Sequence, residues 1–395
     1  MDRFVNKVLR NSKTWVFLAA ALVILASLLT YRLVTITSGG TTQEVLLYKR
    51  GITLSAIFNN PVDLPLHFFQ WVSIGIFHSH NLLLVRLPDV IFGGMTVVLY
   101  SLLLYKWYGT RTMILGTVLF ACSPWFLHIA RITGIDAEQQ LAVVIIIFLS
   151  SFINKDTKSW LFMVEAFILS VLLYVPGMIW FEIALFSLNR KYFRIGWSKL
   201  SSIYQKVGYI LCWLVPLSLL FRYIFEHLSS WKIWLALPST FASLRHILSR
   251  LGDGFSAFVW HAPVNPTLWL GRLPILDSFG IVMLIVGIIF YARHWQAIRT
   301  KSLLIFLMIG LVLFSLAGGI TLSAAVPIVY AIAAAGVGYL LHEWLTVFPR
   351  NPLARFAGVI IVSAVVGFSC WFGLRQYFVA WPNNPMTKVS FQELG

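Results

Sequence analysis

Long apolar stretches alternate with short polar and basic segments along almost the whole chain, which is the pattern of a polytopic membrane protein. With a window of about 20 residues, this pattern predicts about eleven transmembrane helices. They lie near residues 14–36, 84–105, 112–129, 137–153, 160–175, 177–188, 207–228, 277–292, 302–318, 320–341 and 357–374. The predicted fold is therefore all-α, with a single transmembrane domain over residues 1–395.

The composition agrees with this class, because 59% of the residues are hydrophobic, 11% are charged and the mean hydropathy is +0.83. A net charge of +16 would also suit a nucleic-acid-binding protein. The basic residues, however, are spread between the apolar segments instead of forming one patch, so orientation in a membrane explains them better and no nucleic-acid partner is predicted.

The positive-inside rule predicts the orientation of the chain. Most basic residues, including Arg3, Lys7 and Arg10, fall on one side when the N-terminus is placed inside a bacterial cytoplasmic membrane. The C-terminal tail, 375–395, is then outside, together with two long loops, 37–83 and 229–276. Pro176-Gly177 leaves an alternative open, because it could be a turn between two spans or a kink within one.

The first outer loop is predicted to hold juxtamembrane helices. Residues 41–58 mix apolar and basic positions in the manner of an interfacial amphipathic helix, and 64–77 could form a second one. Glu44 then starts a helix just outside the first span. Asp136 starts the fourth span on the same side. Ionisable groups at membrane depth or its edge are costly, so acids that converge there are usually functional.

An ordered set of motifs surrounds these acids. Asn60-Pro61 and LVRLPDVIFGG (84–94) are followed by SPWFLHIAR (123–131), which precedes Asp136, and then by LLYVPGMIWF (172–181), GRLPILD (271–277) and FPRNPLAR (348–355). The set resembles the GT-C membrane glycosyltransferases of the family-39 type, namely the protein O-mannosyltransferases and the lipid A aminoarabinose transferases. This resemblance covers nearly the whole chain.

The resemblance implies transfer of one sugar from a polyprenyl-phosphate donor to a lipid, glycan or protein acceptor on the extracytoplasmic face. Family members carry an Asp-Glu pair in the first outer loop. Here the pair reads Gln43-Glu44, which leaves Glu44 as the implied catalytic base. A second family acid before the proline motif is replaced by Asn59, and Asp63 is the nearby candidate for its role in substrate binding.

The chemistry can also be argued from the residue types. Transfer from a lipid phosphate needs a base for the acceptor hydroxyl, whereas the leaving phosphate needs positive charge more than a proton. Arg86 and Arg131, supported by Arg272, are predicted to bind the donor phosphate, because guanidinium groups match phosphate oxygens. Asp136 is predicted to orient hydroxyl groups. The prenyl tail would enter from the bilayer, and a single displacement would invert the anomeric centre.

Each candidate residue has a simpler reading. Glu44 follows Thr41 by three residues, which is a capping box, and Asp136 could cap its own helix. Arg86 and Arg131 could pair with Asp89 or extend to the lipid headgroups. Other interpretations also stay open. His261 could bind the acceptor or a metal ion, and a divalent cation could be bound with phosphate oxygens completing its ligands. The chain could instead be a transporter or flippase of a lipid-linked sugar, or a GT-C-like subunit without activity.

Overall fold

The computed structural model describes residues 12–37, 39–50, 52–76, 81–152, 158–262 and 270–391, which are helical and contain no β-sheet. Arg3, Lys7 and Arg10, used to predict the orientation, lie outside these ranges. The first helices are α1 (Ser12–Thr30), α2 (Thr42–Arg50), α3 (Leu54–Asn59), α4 (Leu64–Gln70), α5 (Leu82–Tyr108), α6 (Thr110–Ala121), α7 (Pro124–Ile129), α8 (Asp136–Phe152), α9 (Ser159–Leu172) and α10 (Met178–Ser198). They are followed by α11 (Ile203–Glu226), α12 (Trp231–Trp234), α13 (Leu244–Val259), α14 (Ser278–Arg293), α15 (Ile298–Leu316), α16 (Val326–Val347), α17 (Pro352–Arg375), α18 (Trp381–Asn383) and α19 (Pro385–Ser390).

The chain is an integral membrane protein, and each predicted span overlaps one of these helices. Five helical segments of the described chain are long and apolar enough to cross a membrane: Leu82–Tyr108, Ile203–Glu226, Ile298–Leu316, Leu322–Val347 and Pro352–Asn383. Shorter apolar helices include those at Thr110–Ala121 and Ser159–Leu172. The predicted number of about eleven spans therefore stays a prediction.

Pro176-Gly177 forms a turn between two helices and not a kink within one. Gly177 has a φ of 78°, in the left-handed region that glycine adopts most easily. Gly196, near the end of α10, lies against the ring of Phe162, near the start of α9. Because the end of one helix lies beside the start of the other, α9 and α10 are antiparallel, and they are two separate segments as the sequence predicted.

Helix α16 lies at the centre of the bundle, and small residues let its neighbours approach closely. A Cβ atom on Gly336 would lie 2.0 Å from the carbonyl oxygen of Met283, and one on Gly287 would lie 2.0 Å from that of Ile332. Helices α14 and α16 therefore cross with their backbones in contact. Apolar side chains gain little from burial when the solvent is lipid, so this close packing is what holds such helices together.

The juxtamembrane segment of the first loop is helical, as predicted, but the helix predicted over 41–58 is divided into α2 and α3. Thr53 has an extended backbone and its hydroxyl accepts a hydrogen bond from Ala56 N–H, so it caps a new helix start. Helix α4 continues into a π-helical turn at Trp71–Ile76 and thus covers the second predicted helix. Leu54 and Phe58 of α3 are exposed, as expected for an interfacial helix.

Candidate active site

Hydrogen bonds between distant segments bring several of the predicted site residues to one end of the bundle. Glu44 at the start of α2 accepts a hydrogen bond from Thr133 N–H, just before α8. Glu138 in the first turn of α8 accepts one from Leu66 N–H in α4, and Gln139 reaches Gly319 in the loop after α15. The first outer loop, the start of α8 and the loop 317–325 therefore form one polar region.

Glu44 and Arg86 form an ion pair with no exposed side-chain surface. Nε of Arg86 donates to Oε1 of Glu44 at 2.7 Å, and Nη2 donates to Oε2 at 3.0 Å. The remaining guanidinium nitrogen, Nη1, donates to the carbonyl oxygen of Leu33 at 2.6 Å. A two-pronged contact of this kind fixes both side chains, which is the geometry that an arginine provides and a lysine does not.

The capping box predicted at the start of α2 is also present. Glu44 N–H donates to the hydroxyl of Thr41 at 3.2 Å, while Oε2 of Glu44 accepts from Thr41 N–H at 2.8 Å. Together with Arg86 and Thr133 N–H at 3.1 Å, four donors therefore contact the two carboxylate oxygens. The capping role and the ion pair coexist, and Arg86 pairs with Glu44 instead of with Asp89.

The hydrogen bonds that Glu44 accepts affect its predicted role as a general base. A general base needs a lone pair that can approach the acceptor proton. In the conformation described, each oxygen of Glu44 accepts two hydrogen bonds and none of its surface is exposed. The carboxylate thus holds Arg86 and the turn before α8 in place, and its role as a base stays a prediction.

Arg131 differs from Arg86, although both guanidinium groups are buried. It lies in the turn after α7, where Nη2 donates to the carbonyl oxygen of Tyr31. Nε and Nη1 have no hydrogen-bond partner among the described residues. The rings of Tyr377 and Phe378 cover the group, with their centroids 5.1 and 4.7 Å from its central carbon. Arg131 neither pairs with Asp89 nor extends to solvent.

A second group of acids lies between α4, α5 and α8. Asp63 precedes α4 in a left-handed backbone conformation, with φ 56° and ψ 34°, and burial raises its pKa to about 7. Glu138 is 3% exposed, and the charge of Asp63 acts on it. One carboxyl oxygen of Asp63, Glu138 and Asp89 is in each case buried without a partner in the described chain. Each of these buried oxygens therefore has an unused lone pair that can take a proton.

Asp136 holds the loop between α15 and α16. The hydroxyl of Thr321 donates to its Oδ1, and Gln139, one turn along α8, donates to Gly319 O at 2.8 Å and accepts from Thr321 N–H at 3.2 Å. The side chain of Gln139 thus contacts this loop instead of returning to cap α8. Asp136 is partly exposed as a whole residue.

Two predicted residues lie apart from these contacts. Arg272 is exposed and follows the turn at Gly271, and within the described chain no hydrogen bond joins it to Glu44 or Arg86. His261 is exposed after α13, where its carbonyl oxygen accepts from the hydroxyl of Ser256. Among the described residues, no three His, Cys, Asp or Glu side chains are grouped so that they could hold a metal ion.

Sequence reasoning did not include Glu138 or Tyr377 among the site residues. Glu138 carried a signal, because three polar residues, Glu138 to Gln140, interrupt the start of an otherwise apolar helix. The sequence around Tyr377 carried no such signal. It is one of 14 tyrosines, and only the packing of the segment after α17 places it over Arg131.

Comparisons with known proteins identify the fold of this chain. No family model matches the sequence, and no curated protein matches it. Among solved structures, ArnT from Cupriavidus metallidurans bound to undecaprenyl phosphate matches with a TM-score of 0.54 at 11% identity, over 97% of this chain and 78% of that one. The apo state of the same ArnT matches with a TM-score of 0.51.

The structure of a second protein is also similar to this chain. The archaeal oligosaccharyltransferase AglB from Archaeoglobus fulgidus, in complex with an inhibitory peptide and a dolichol-phosphate, matches with a TM-score of 0.54 at 12% identity. The match covers 92% of this chain and 56% of AglB, so the chain spans little more than half of that protein. The arrangement of helices, and not the amino-acid identity, carries these similarities. This chain has the GT-C fold, the fold that its sequence motifs resemble.

Proposed function

We propose that this chain is a membrane glycosyltransferase that moves one monosaccharide from a polyprenyl-phosphate donor to a hydroxyl group of a lipid, glycan or protein acceptor. The observation that supports it most is Arg131, a buried guanidinium group with two unpartnered nitrogens at the polar end of a GT-C fold. Such a group suits a phosphate. The similar structures of ArnT and AglB are complexes with undecaprenyl phosphate and with a dolichol-phosphate, respectively, which supports a lipid phosphate.

The proposed reaction is a single displacement at the anomeric carbon. The acceptor oxygen forms a bond to this carbon, the bond between the carbon and the donor phosphate oxygen breaks, and polyprenyl phosphate leaves with the bonding electrons. The hydroxyl proton passes to a carboxylate. Because the phosphate leaves as a stable anion, positive charge near it lowers the barrier more than a proton would. The anomeric configuration is inverted.

Arginines carry the positive charge in this proposal. Arg131 contacts the phosphate of the donor, while Arg86 adds its charge from a fixed position, since its own hydrogen bonds go to Glu44 and Leu33. The charges of Arg86 and Arg131 act on each other, which supports a shared field at this end of the bundle. Arg272, which is exposed and precedes α14, would approach only when substrate is bound.

The proton acceptor is proposed to be the pair Asp63 and Glu138. Both keep one oxygen without a partner among the described residues, whereas Glu44 has none to spare. Two carboxyl groups whose charges act on each other share protons, so one of them is ready to accept another near neutral pH. Glu44 as the base is the alternative, and it requires the contact with Arg86 or Thr133 to open during turnover.

Asp136 is proposed to orient a hydroxyl of the acceptor or the sugar. It is partly exposed and its bond to Thr321 leaves Oδ2 for such a contact. A transporter or flippase for a lipid-linked sugar is the rival function, and an inactive GT-C-like subunit is another, because Gln43 stands where relatives carry an acid. Only a transferase breaks the bond between sugar and phosphate.

Sealed vesicles containing the purified chain test this proposal. A polyprenyl-phosphate sugar, labelled in the sugar, is supplied with a mixture of lipid, glycan and peptide acceptors, and free polyprenyl phosphate and labelled acceptor are both measured. Equal amounts of the two products are the expected result. Label that crosses the bilayer with its phosphate bond intact would support the flippase. Protein that binds the donor and yields neither outcome would support an inactive subunit.

A further inference from the structure

Two free cysteines meet where α17 packs against α6. Cys122 directly follows the last residue of α6, and Cys370 lies in the second half of α17. A side-chain hydrogen bond joins the two thiols. The thiol of Cys370 also donates to the carbonyl oxygen of Val118, one turn before Cys122, with 3.6 Å between sulfur and oxygen. Two residues far apart in sequence thus bring their sulfur atoms into contact across a helix crossing.

A glycine lets the two helices approach closely at this crossing. Gly373 lies one turn after Cys370, and a Cβ atom there would lie 2.6 Å from the carbonyl oxygen of Cys122 and 3.2 Å from Cδ of Pro124. A disulfide joins residues whose Cα atoms are about 4.4–6.8 Å apart, whereas packed helix axes are usually about 8–10 Å apart. Gly373 therefore removes the side chain that would hold α6 and α17 at the larger spacing.

The two thiols differ in how easily a reagent can reach them. Cys370 is 8% exposed, whereas Cys122 is only half-buried. A fully buried cysteine usually acts as a small apolar residue and does not react. Cys122 can be reached by a small oxidant, and Cys370 is then the thiol beside it. The third cysteine, Cys212, lies in α11 and has no such contact with Cys122 or Cys370 in the described chain.

We propose that Cys122 and Cys370 are a dithiol pair that oxidation converts to a disulfide between α6 and α17. The two S–H bonds break as the bond between the sulfur atoms forms. Two electrons and two protons pass to the oxidant, a lipid-soluble quinone, which becomes a hydroquinone. The reverse reaction takes two electrons and two protons from a dithiol, which is itself oxidised to a disulfide. The bond forms whether or not the chain transfers sugar.

This disulfide would join two segments that both lead to the candidate site. Cys122 directly precedes Ser123, whose hydroxyl caps α7, and α7 leads to Arg131. Helix α17 leads to Tyr377 and Phe378, whose rings lie over Arg131. A bond between α6 and α17 therefore limits how far these segments can separate. A cross-link between residues far apart in sequence also lowers the entropy of the unfolded chain, so the oxidised chain should unfold at a higher temperature.

Counting free thiols in the purified full chain tests the disulfide. The folded chain in detergent is treated with diamide, a small oxidant that takes two electrons and two protons from a pair of thiols. The reagent is then removed and the thiols are titrated in denaturant. We expect the number of free thiols to fall from three to one, and a dithiol reductant to restore all three. Mass spectrometry of proteolytic fragments should find Cys122 joined to Cys370.

Serine variants of the three cysteines separate this pair from a general reaction of thiols. Cys212→Ser is the matched control, because it retains the pair. Its two thiols should both be lost to diamide, and its Tm should rise on oxidation as in the unaltered chain. Cys122→Ser and Cys370→Ser each leave one member of the pair with Cys212, so both should keep two free thiols after diamide. Oxidation should not raise Tm in either variant.

A glycine variant tests the helix crossing itself. Gly373→Ala should force α6 and α17 apart and slow the loss of thiols at least several-fold. Gly367→Ala, where a Cβ atom would meet nothing within 4 Å, should react as the unaltered chain does. Equal rates for the two variants would contradict the close approach at Gly373.

Other outcomes would overturn the disulfide. If the folded chain keeps three free thiols in diamide, Cys122 and Cys370 only pack as small apolar residues and the proposal is wrong. If thiols are lost equally in Cys122→Ser, the reaction does not depend on this pair. Covalent dimers on non-reducing electrophoresis would show that the cysteines pair between chains. A disulfide that forms within the chain but lowers Tm would contradict its stabilising effect.

Discussion

Arg86 donates two hydrogen bonds to Glu44 across 42 residues of sequence, and neither side chain has exposed surface. This contact joins the juxtamembrane helix α2 to the transmembrane helix α5 and, through Thr133, to the turn before α8. The ion pair therefore fixes the geometry of the polar end on which the proposed chemistry depends.

Breaking this pair should destabilise the chain strongly. Glu44→Ala leaves the buried guanidinium of Arg86 without its anion, and removing one partner of such a pair costs about 3–5 kcal/mol. The double variant Glu44→Leu with Arg86→Met should recover part of this loss, since neither charge is then buried alone. Thermal or denaturant unfolding in detergent measures the stability of both variants.

An exposed ion pair gives the matched control for this measurement. Arg222 and Glu226 lie one helical turn apart in α11, with side chains 73% and 52% exposed. Glu226→Ala should cost much less than Glu44→Ala, because exposed pairs are weak. Equal losses for Glu44→Ala and Glu226→Ala would contradict the structural role of the buried pair.

The close crossing of α14 and α16 should not tolerate a side chain. Gly336→Ala places a Cβ atom 2.0 Å from the carbonyl oxygen of Met283, and the backbones must separate to accept it. Overpacking of this kind costs about 1–3 kcal/mol or more. Gly367→Ala in α17, where a Cβ would meet nothing within 4 Å, should leave Tm unchanged or raise it slightly. If Gly367→Ala lowered Tm more than Gly336→Ala did, α14 and α16 would have to cross elsewhere.

The rate of transfer should depend on the protonation of Asp63. Burial raises the pKa of Asp63 to about 7, so the carboxylate that accepts a proton is lost as the pH falls below about 7. We expect the rate to rise between about pH 6 and pH 8 and Asp63→Asn to remove this rise. Asp253→Asn, at an exposed position of α13, is the control. A pH profile that Asp63→Asn leaves unchanged would assign the rise to another group.

The same shift in pKa affects stability. Between the ordinary value of 3.8 and about 7, folded Asp63 holds a proton that the unfolded chain has lost. The contribution of Asp63 to stability is therefore full below about pH 4, falls as the pH rises to about 7, and is constant above that. Tm of Asp63→Asn should lack this decline. His67, four residues further along, and Glu138 are the nearby groups whose titration must be compared.

Asp136 and Thr321 offer a test of whether Asp136 contacts substrate. If its main role is to hold the loop 317–325, Thr321→Val should lower the rate as much as Asp136→Ala, because each removes the hydrogen bond between these two residues. We propose that Asp136 also contacts a substrate hydroxyl, so Asp136→Ala should lower the rate by a further factor of about 10–100, the cost of one hydrogen bond to a charged group. Equal rates for the two variants would restrict Asp136 to the loop.

The sequence predicts the helices well because each apolar segment is a local property of the chain. The turn at Pro176-Gly177 needed the structure, since the residues that distinguish a turn from a kink, Phe162 and Gly196, lie far apart in sequence. The division of 41–58 into two helices depended on one cap at Thr53, a feature that hydrophobic periodicity does not reveal.

The candidate site was harder to predict for the same physical reason. The motifs identified Glu44, Arg86 and Arg131 as charged residues at one end, but not which charges pair. Glu44 binds Arg86, while Arg131 has no anion in the described chain, and this distinction arises from contacts between α2, α5 and the segment after α17. The sequence offered no means to place Tyr377 over Arg131.

The most direct test of the central claim is the rate at which labelled sugar passes from a polyprenyl-phosphate donor to an acceptor in a single turnover. The account predicts transfer by the unaltered chain, the same rate for Glu226→Ala, and a rate about 10²–10⁴-fold lower when Asp63→Asn is combined with Glu138→Gln. A double variant that transfers sugar as fast as the unaltered chain would contradict the proposed proton acceptor. A folded, donor-bound chain that never cleaves the sugar–phosphate bond would contradict the transferase itself.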